Sequence, residues 1–164
     1  MLNRIIFTFI MTLAFTSCGG SGGNATATIL EGSWVKSCSA QDPNDPDTYY
    51  DVITVSFASN RFDSSVEIYT DTGCTIPDAL FPNPTASGNF TVGNNLTTTG
   101  GLEATELDSQ VILSNGRTFN SNDFNIFYIT GNILYVGDTR GTNDGSTPAL
   151  RPDSLDLNRG FDRQ

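Results

Sequence analysis

The chain has 164 residues, with 18 acidic side chains against 8 basic ones, a formal net charge of −10, and no histidine. The lack of histidine excludes Ser-His-Asp and Cys-His catalysis and most zinc sites, since each of these needs an imidazole. So few basic residues argue against nucleic acid as a partner, because phosphate binding needs clustered Lys and Arg.

The N-terminal segment has the order of a secretory signal. Arg4 precedes an apolar run from Ile5 to Phe15, and the small residues Thr16 and Ser17 follow. The order charged, apolar, small is typical of export signals. The alternatives, an uncleaved membrane anchor or a buried core helix, are disfavoured because a bilayer span takes about 20 residues.

The end of this segment resembles the lipobox of bacterial lipoproteins, which is an apolar residue, two small residues and a cysteine. Here the four positions are Phe15, Thr16, Ser17 and Cys18, with phenylalanine in place of the usual leucine. The resemblance implies a signal peptide over 1–17 and acyl chains such as palmitate on Cys18, which together hold a protein stably on a membrane. Gly19 stands where an aspartate would favour the inner membrane, so the resemblance implies lipid anchoring at the outer membrane.

The next residues predict a tether followed by one domain. Residues 18–28 hold the acylated cysteine and a segment of Gly, Ser, Thr and Ala, a composition typical of flexible linkers that bury no core. Residues 29–164 have the length of a single domain with one core.

Short apolar runs broken by Gly, Asn, Asp, Ser and Thr give this domain an all-β signature. About eight strands are predicted, over 29–38, 48–57, 61–70, 87–92, 105–113, 124–130, 133–137 and 161–164. Turns are predicted at 58–60, 115–116 and 131–132, and the proline-rich segment 75–84 predicts a loop. No helix is predicted beyond a short turn within 147–157. Since free sheet edges invite aggregation, we expect an antiparallel barrel or a strongly curved sandwich.

Two cysteines besides Cys18 are Cys38 and Cys74. In an exported protein, which meets an oxidising compartment, the default prediction is a disulfide between them. It would close a loop of about 36 residues and stabilise the fold by about 3–4 kcal/mol. A reactive thiol pair is the alternative, but the activating CxxC spacing is absent.

The first predicted strand carries Gly32-Ser33-Trp34, and this GxW resembles the opening of lipocalins and related calycin barrels. The resemblance implies that Trp34 plugs one barrel end and that a basic residue near the last strand covers its indole by a cation–π contact. Arg159 and Arg163 are both placed for this, and we predict Arg163.

The chain is also similar to small secreted bacterial lipoproteins of lipocalin-like type. Their motifs are L-x-G-x-W…C, Y-x-D…C and LYxGD…RP. They correspond here to 30–38, 69–74 and 134–152. Members of that group generally lack an assigned activity, so this resemblance implies a fold rather than a reaction.

Two acidic segments contain oxygen ligands of the kind that calcium prefers, and neither has the EF-hand order with its terminal glutamate. The first holds Asp42, Asn44, Asp45 and Asp47, and the second holds Asp138, Asn143 and Asp144. Ordinary solvated loops are the favoured interpretation, so we predict no metal site and no cofactor.

Nine aromatic side chains of the predicted strands would either line a cavity or fill the barrel, and filling is favoured because an eight-stranded barrel is narrow. They are Tyr49, Tyr50, Phe57, Phe62, Tyr69, Phe124, Phe127, Tyr128 and Tyr135. The first hypothesis is a non-enzymatic, membrane-anchored envelope lipoprotein that binds a small apolar ligand in its barrel. The alternatives are an inhibitor of a basic enzyme such as lysozyme, suited by the acidic surface, and a surface adhesin or structural lipoprotein. The sequence names no protein partner.

Overall fold

The computed structural model describes residues 28–42, 44–80 and 83–164, and they form an eight-stranded antiparallel barrel. The strands are β1 (Gly32–Ala40), β2 (Tyr50–Ala58), β3 (Arg61–Tyr69), β4 (Thr85–Thr97), β5 (Glu103–Ser114), β6 (Arg117–Thr130), β7 (Ile133–Val136) and β8 (Phe161–Arg163). Each strand pairs with the next, and β1 pairs with β8 through Trp34 with Arg163 and Val35 with Asp162, which closes the barrel. The all-β prediction is confirmed, with the barrel rather than the sandwich.

The tight hairpins follow from residues that tolerate a left-handed backbone. Ser59 and Asn60 have φ angles of 49° and 64°, and Asn115 and Gly116 have 52° and 72°. Two consecutive positive φ angles match the right-handed twist of the flanking strands, so a two-residue turn joins them without splaying. These turns, and the one at 131–132, lie where the sequence predicts them.

Three strands are longer than predicted. The predicted strands leave 93–104 as a connection, yet β4 continues to Thr97 and β5 begins at Glu103, with a register shift between Val92 and Asn95. Residues 117–123 likewise belong to β6, where most pair with β5. Ladder hydrogen bonds therefore outweigh low strand propensity here. The only helical turn in the described part of the chain is the 3-10 turn Pro148–Leu150.

The apolar core lies inside the barrel. Its buried members form a contiguous cluster of Leu30, Trp34, Phe57, Phe62, Phe90, Leu107, Phe127, Leu134 and Phe161. Phe57 and Phe90 meet edge to face, with ring centroids 5.0 Å apart. Three of the nine aromatics singled out from the sequence belong to this cluster, and Phe90 and Phe161 join them, so aromatic side chains occupy this part of the interior.

The long connection between β7 and β8 packs on the outside of the sheet. Arg151 anchors it: Nη1 lies 2.7 Å from Asp108 Oδ1 and donates to the Asn125 carbonyl at 2.6 Å, while the guanidinium lies over the Phe124 ring. Pro152 beside it is fully buried. The connection is thereby fixed to β5 and β6, and its later part returns to the barrel, where it continues into β8.

The predicted disulfide between Cys38 and Cys74 is confirmed. It joins the end of β1 to the β3–β4 loop, so it fixes that loop at this end of the barrel. Within the described residues, no helix has the length and apolar character that a membrane crossing requires.

Candidate functional site

One end of the barrel is closed by the segment that precedes β1. The indole nitrogen of Trp34, a fully buried residue, donates to the Leu30 carbonyl at 2.7 Å. Arg163 lies across the indole, 4.2 Å from its ring, and donates to the carbonyls of Ile29 and Glu31 at 2.7 and 3.1 Å. We call this the closed end. The structure thus places Arg163 over Trp34, and Arg159 lies elsewhere.

The opposite end, the open end, contains a cavity of about 170 Å³. It lies where β1, β2, β6, β7 and the β7–β8 connection meet. Its apolar wall is formed by Ile53, Val136 and Phe161. Charged side chains make up much of the rest: Lys36, Asp138, Arg140, Asp156 and Arg159. The cavity therefore combines a small apolar surface with charges of both signs.

A buried ion-pair group lies at the inner side of this cavity. Lys36 is 2% exposed, and its ammonium pairs with the Asp51 carboxylate and donates to the Asp51 carbonyl at 3.1 Å and to the Ser39 hydroxyl at 2.7 Å. Arg159 Nη2 donates to both carboxylate oxygens of Asp51, at 3.3 and 3.2 Å. One carboxylate thus holds two cations inside the barrel.

Burial lowers the pKa of Lys36, although the hydrogen bond and the charge of Asp51 act in the opposite direction. Desolvation disfavours the charged ammonium, and the paired carboxylate compensates for part of that cost. The three donors of the ammonium all have acceptors. Lys36 therefore organises the interior and supplies charge, but has no donor left for a ligand.

The rim of the cavity carries a second group of charges. Arg140 donates from Nε and Nη2 to the two carboxylate oxygens of Asp138, at 2.9 and 3.0 Å, and its Nη2 lies 3.4 Å from Asp156. The bonds from Arg140 hold the pKa of Asp138 below its usual value. Asp156 is only 8% exposed. The rim therefore contains a solvent-exposed ion pair, Arg140 with Asp138, beside the buried carboxylate of Asp156.

The other residues predicted from the sequence lie in several places. Cys18 lies outside the described residues. Asp42, Asp45 and Asp47 are exposed in the β1–β2 loop, and Asp138 is paired with Arg140. Within the described ranges no group of three or more Cys, Asp or Glu side chains could hold a metal ion.

The charged side chains at the open end form what we call the open-end group: Lys36, Asp51, Asp138, Arg140, Asp156 and Arg159. The sequence did not predict this group, although Asp138 was considered as a calcium ligand. Lys36 follows Trp34 by two residues in a strand, and this spacing places both side chains on the same, inner face. Asp51 likewise continues the alternation of Ile53, Val55 and Phe57. These two signals were present in the sequence. Nothing local could bring Arg140, Asp156 and Arg159 to the same place, because their connection is irregular.

The comparisons with known proteins bring no family name to this arrangement. No model of a known protein family matches the chain, and no curated protein matches its sequence.

Proposed function

We propose that this protein is a non-enzymatic lipoprotein, anchored to the outer membrane through Cys18, that binds a small ligand in the open-end cavity. The observation that carries the proposal is the ion-pair group of Lys36, Asp51 and Arg159 beside that cavity. Perturbed, buried ionisable groups in a concave site are candidates for function.

Stability alone is a poor explanation for this group. Replacing a buried ion pair by well-packed apolar residues is often neutral or stabilising. The core of the same barrel shows that the chain can fill its interior with aromatic and aliphatic side chains. At the open end, buried charges and a cavity lie beside that core, and this supports a binding role.

The path of the chain defines the end of the barrel at which such an anchor would attach. The described part begins at the closed end, where Thr28 accepts a bond from Glu31 and Leu30 is fully buried. An anchor at Cys18 would attach to that end of the barrel. The cavity would then lie at the end of the barrel opposite to the tether.

The first experiment is an NMR titration of the isotope-labelled Cys18→Ser protein with a library of compounds of ten or fewer non-hydrogen atoms. We expect shift changes at Lys36, Val136 and Thr139. Thr139→Trp, at an exposed position of the lining, should block them, whereas the matched control Thr142→Trp, exposed in the same connection but outside the lining, should not. No hits, or hits that map elsewhere and survive Thr139→Trp, would overturn the proposed binding role.

The anchor is tested separately in cells. Wild-type protein should take up labelled palmitate and sediment with outer membranes, and Cys18→Ser should lose both properties. Recovery of unlabelled wild-type protein in the soluble fraction would contradict the anchoring.

A second candidate function, inhibition of a basic enzyme, is favoured by one observation: the β1–β2 loop exposes Asp42, Asp45 and Asp47 together. Such a cluster attracts a cationic partner at low ionic strength. It would be tested by measuring lysozyme activity with increasing protein. Inhibition that weakens with salt and with the triple Asp→Asn variant would favour this function, and unchanged lysozyme activity would exclude lysozyme as the target.

A further inference from the structure

We infer that the ligand of the open-end cavity is a small zwitterion with an apolar portion, the chemistry of an α-amino acid. This inference rests on the proposed function, since it names the class of ligand for that same cavity.

Size sets the first limit. A cavity of 150 Å³ accommodates a benzene molecule, so the cavity of about 170 Å³ fits a compound of roughly six to ten non-hydrogen atoms. The acyl chain of a membrane lipid is too long. Ile53, Val136 and Phe161 give a ligand an apolar surface to contact.

Charge sets the second limit. Lys36, Arg140 and Arg159 contribute three positive charges to the lining, and Asp138 and Asp156 contribute two negative ones, with Asp51 paired directly to Lys36 and Arg159. The group as a whole is balanced. A ligand with a net charge would bring one uncompensated charge out of water, which is costly. A zwitterion brings none, and each of its poles meets an opposite charge.

Both a cation and an anion of the lining also have hydrogen-bonding groups that are not fully used. Arg159 Nε is buried and has no hydrogen-bond partner among the described residues. Among the described residues the carboxylate of Asp156 makes only long contacts: it accepts from the Asn158 amide at 3.3 Å and lies 3.4 Å from Arg140 Nη2. A ligand carboxylate therefore belongs near Arg159, after a small adjustment of that side chain, and a ligand ammonium belongs near Asp156.

The test compares four compounds of similar size by NMR titration of the Cys18→Ser protein. They are leucine, the cation leucinamide, the anion 4-methylpentanoate and the neutral 4-methylpentanamide. For so few atoms we expect leucine to bind with a Kd of about 0.1–1 mM, and the other three to bind at least tenfold more weakly. Tighter or equal binding of 4-methylpentanoate, leucinamide or 4-methylpentanamide would overturn the inference.

A variant of Asp156 then tests the role of this side chain in binding the ligand ammonium. Asp156→Asn retains the shape and leaves the lining with an excess positive charge, so it should weaken leucine binding at least tenfold and shift the preference toward the anion 4-methylpentanoate. The matched control is Asp153→Asn, an exposed aspartate of the same connection, which should bind leucine as the parent does. Unchanged selectivity in a folded Asp156→Asn protein would contradict the assignment.

The outcomes separate the two proposals. If leucine fails to bind while other small compounds still map to the cavity, the zwitterion inference is wrong and the binding role stands. If nothing maps to the cavity, both are wrong.

Discussion

At the scale of single residues, β1 shows how one strand serves two ends of the barrel. Trp34 and Lys36 are two positions apart and both are buried, yet one is packed among apolar side chains and the other lies in an ion-pair group. The difference comes from their depth in the barrel. Trp34 faces the segment that closes one end, and Lys36 faces a cavity at the other.

Trp34→Phe should lower the free energy of unfolding by about 1–3 kcal/mol, because it removes the indole hydrogen bond to Leu30 and leaves unfilled volume. Urea unfolding followed by circular dichroism measures this, since the variant lacks the only tryptophan. Arg163→Met tests the cation–π contact, and its effect should be smaller in the Trp34→Phe background than in wild type. Independent, additive effects would show that the two side chains do not act together.

Lys36→Met should destabilise the protein by about 2–4 kcal/mol, because it removes the fully buried partner of the Asp51 carboxylate. Arg159 still contacts that carboxylate, so the loss should fall below that of a completely unpaired charge. The double variant Lys36→Met, Asp51→Leu should recover part of the loss, since it removes the fully buried pair but leaves Arg159, whose side chain is 24% exposed, without its carboxylate partner. A double variant as unstable as the sum of the single ones would mean that shape, not charge, makes the site sensitive.

At the scale of elements, β4 and β5 are held close together at Gly88. A Cβ atom at this position would overlap the carbonyl oxygen of Gln110 on β5 and lie 3.0 Å from the Phe62 ring. The register of β4 against β5 shifts between Ser87 and Gly88, so the irregularity coincides with the glycine. The missing side chain is therefore what allows the two strands to approach here.

Gly88→Ala should cost about 1–3 kcal/mol of stability, as overpacking of a filled interior does. Gly141→Ala is the matched control, because nothing lies within 4 Å of a Cβ atom there and its φ is not left-handed. Thermal unfolding of the two variants compares them directly. Equal melting temperatures would show that the strands can separate at no cost.

The β3–β4 loop is organised by Asp71, which accepts from the Ile76 and Thr75 amides at 2.7 and 2.9 Å and from Gly73 at 3.2 Å. The bonds from Ile76 and then from Thr75 and Gly73 hold the pKa of Asp71 below its ordinary value, although desolvation opposes them. A carboxylate with a lowered pKa stabilises the fold above its ordinary pKa. That contribution is lost as the pH falls through the lowered value.

Asp71→Asn should therefore flatten the loss of stability below about pH 4, the region where an ordinary aspartate protonates. The variant should also be less stable than wild type at pH 7, because the charge-assisted bonds are gone. Melting temperatures between pH 2 and pH 7 measure both effects. The control is Asp63→Asn, an exposed aspartate of β3; an identical acid profile in wild type and Asp71→Asn would contradict the assignment.

At the scale of the whole molecule, the existence and order of the eight strands could be predicted from the sequence, because apolar alternation and turn residues are visible in short segments of the chain. The pairing of Cys38 with Cys74 was also predicted, and the lipocalin resemblance implied a basic residue over Trp34, either Arg159 or Arg163; the structure shows Arg163 there. The long ends of β4 and β6 could not be predicted, since their polar residues are ordered by partner strands. The cavity could not be predicted either, because it needs the irregular connection that brings Arg140, Asp156 and Arg159 beside Lys36.

Net charge is the remaining property of the whole molecule. The chain carries a formal charge of −10, and only three of its acidic side chains, Asp51, Asp138 and Asp156, belong to the open-end group. The others repel one another across the surface, and compact states suffer most from such repulsion. Screening is strong at 0.15 M salt, where the Debye length is about 8 Å, and weak at 0.01 M, where it is about 30 Å.

Raising sodium chloride from about 10 to 150 mM should therefore raise the melting temperature of the Cys18→Ser protein, by about 2–5 °C on the scale that links stability to Tm. The triple variant Asp42→Asn, Asp45→Asn, Asp47→Asn should melt higher at low salt and respond less to it, because it removes exposed repulsion. A matched variant with three exposed threonines changed to serine, Thr91, Thr139 and Thr142, should keep the wild-type salt response. A melting temperature that falls with salt would mean that attraction in the ion pairs around Asp51, Asp138 and Arg151 outweighs repulsion over the rest of the surface.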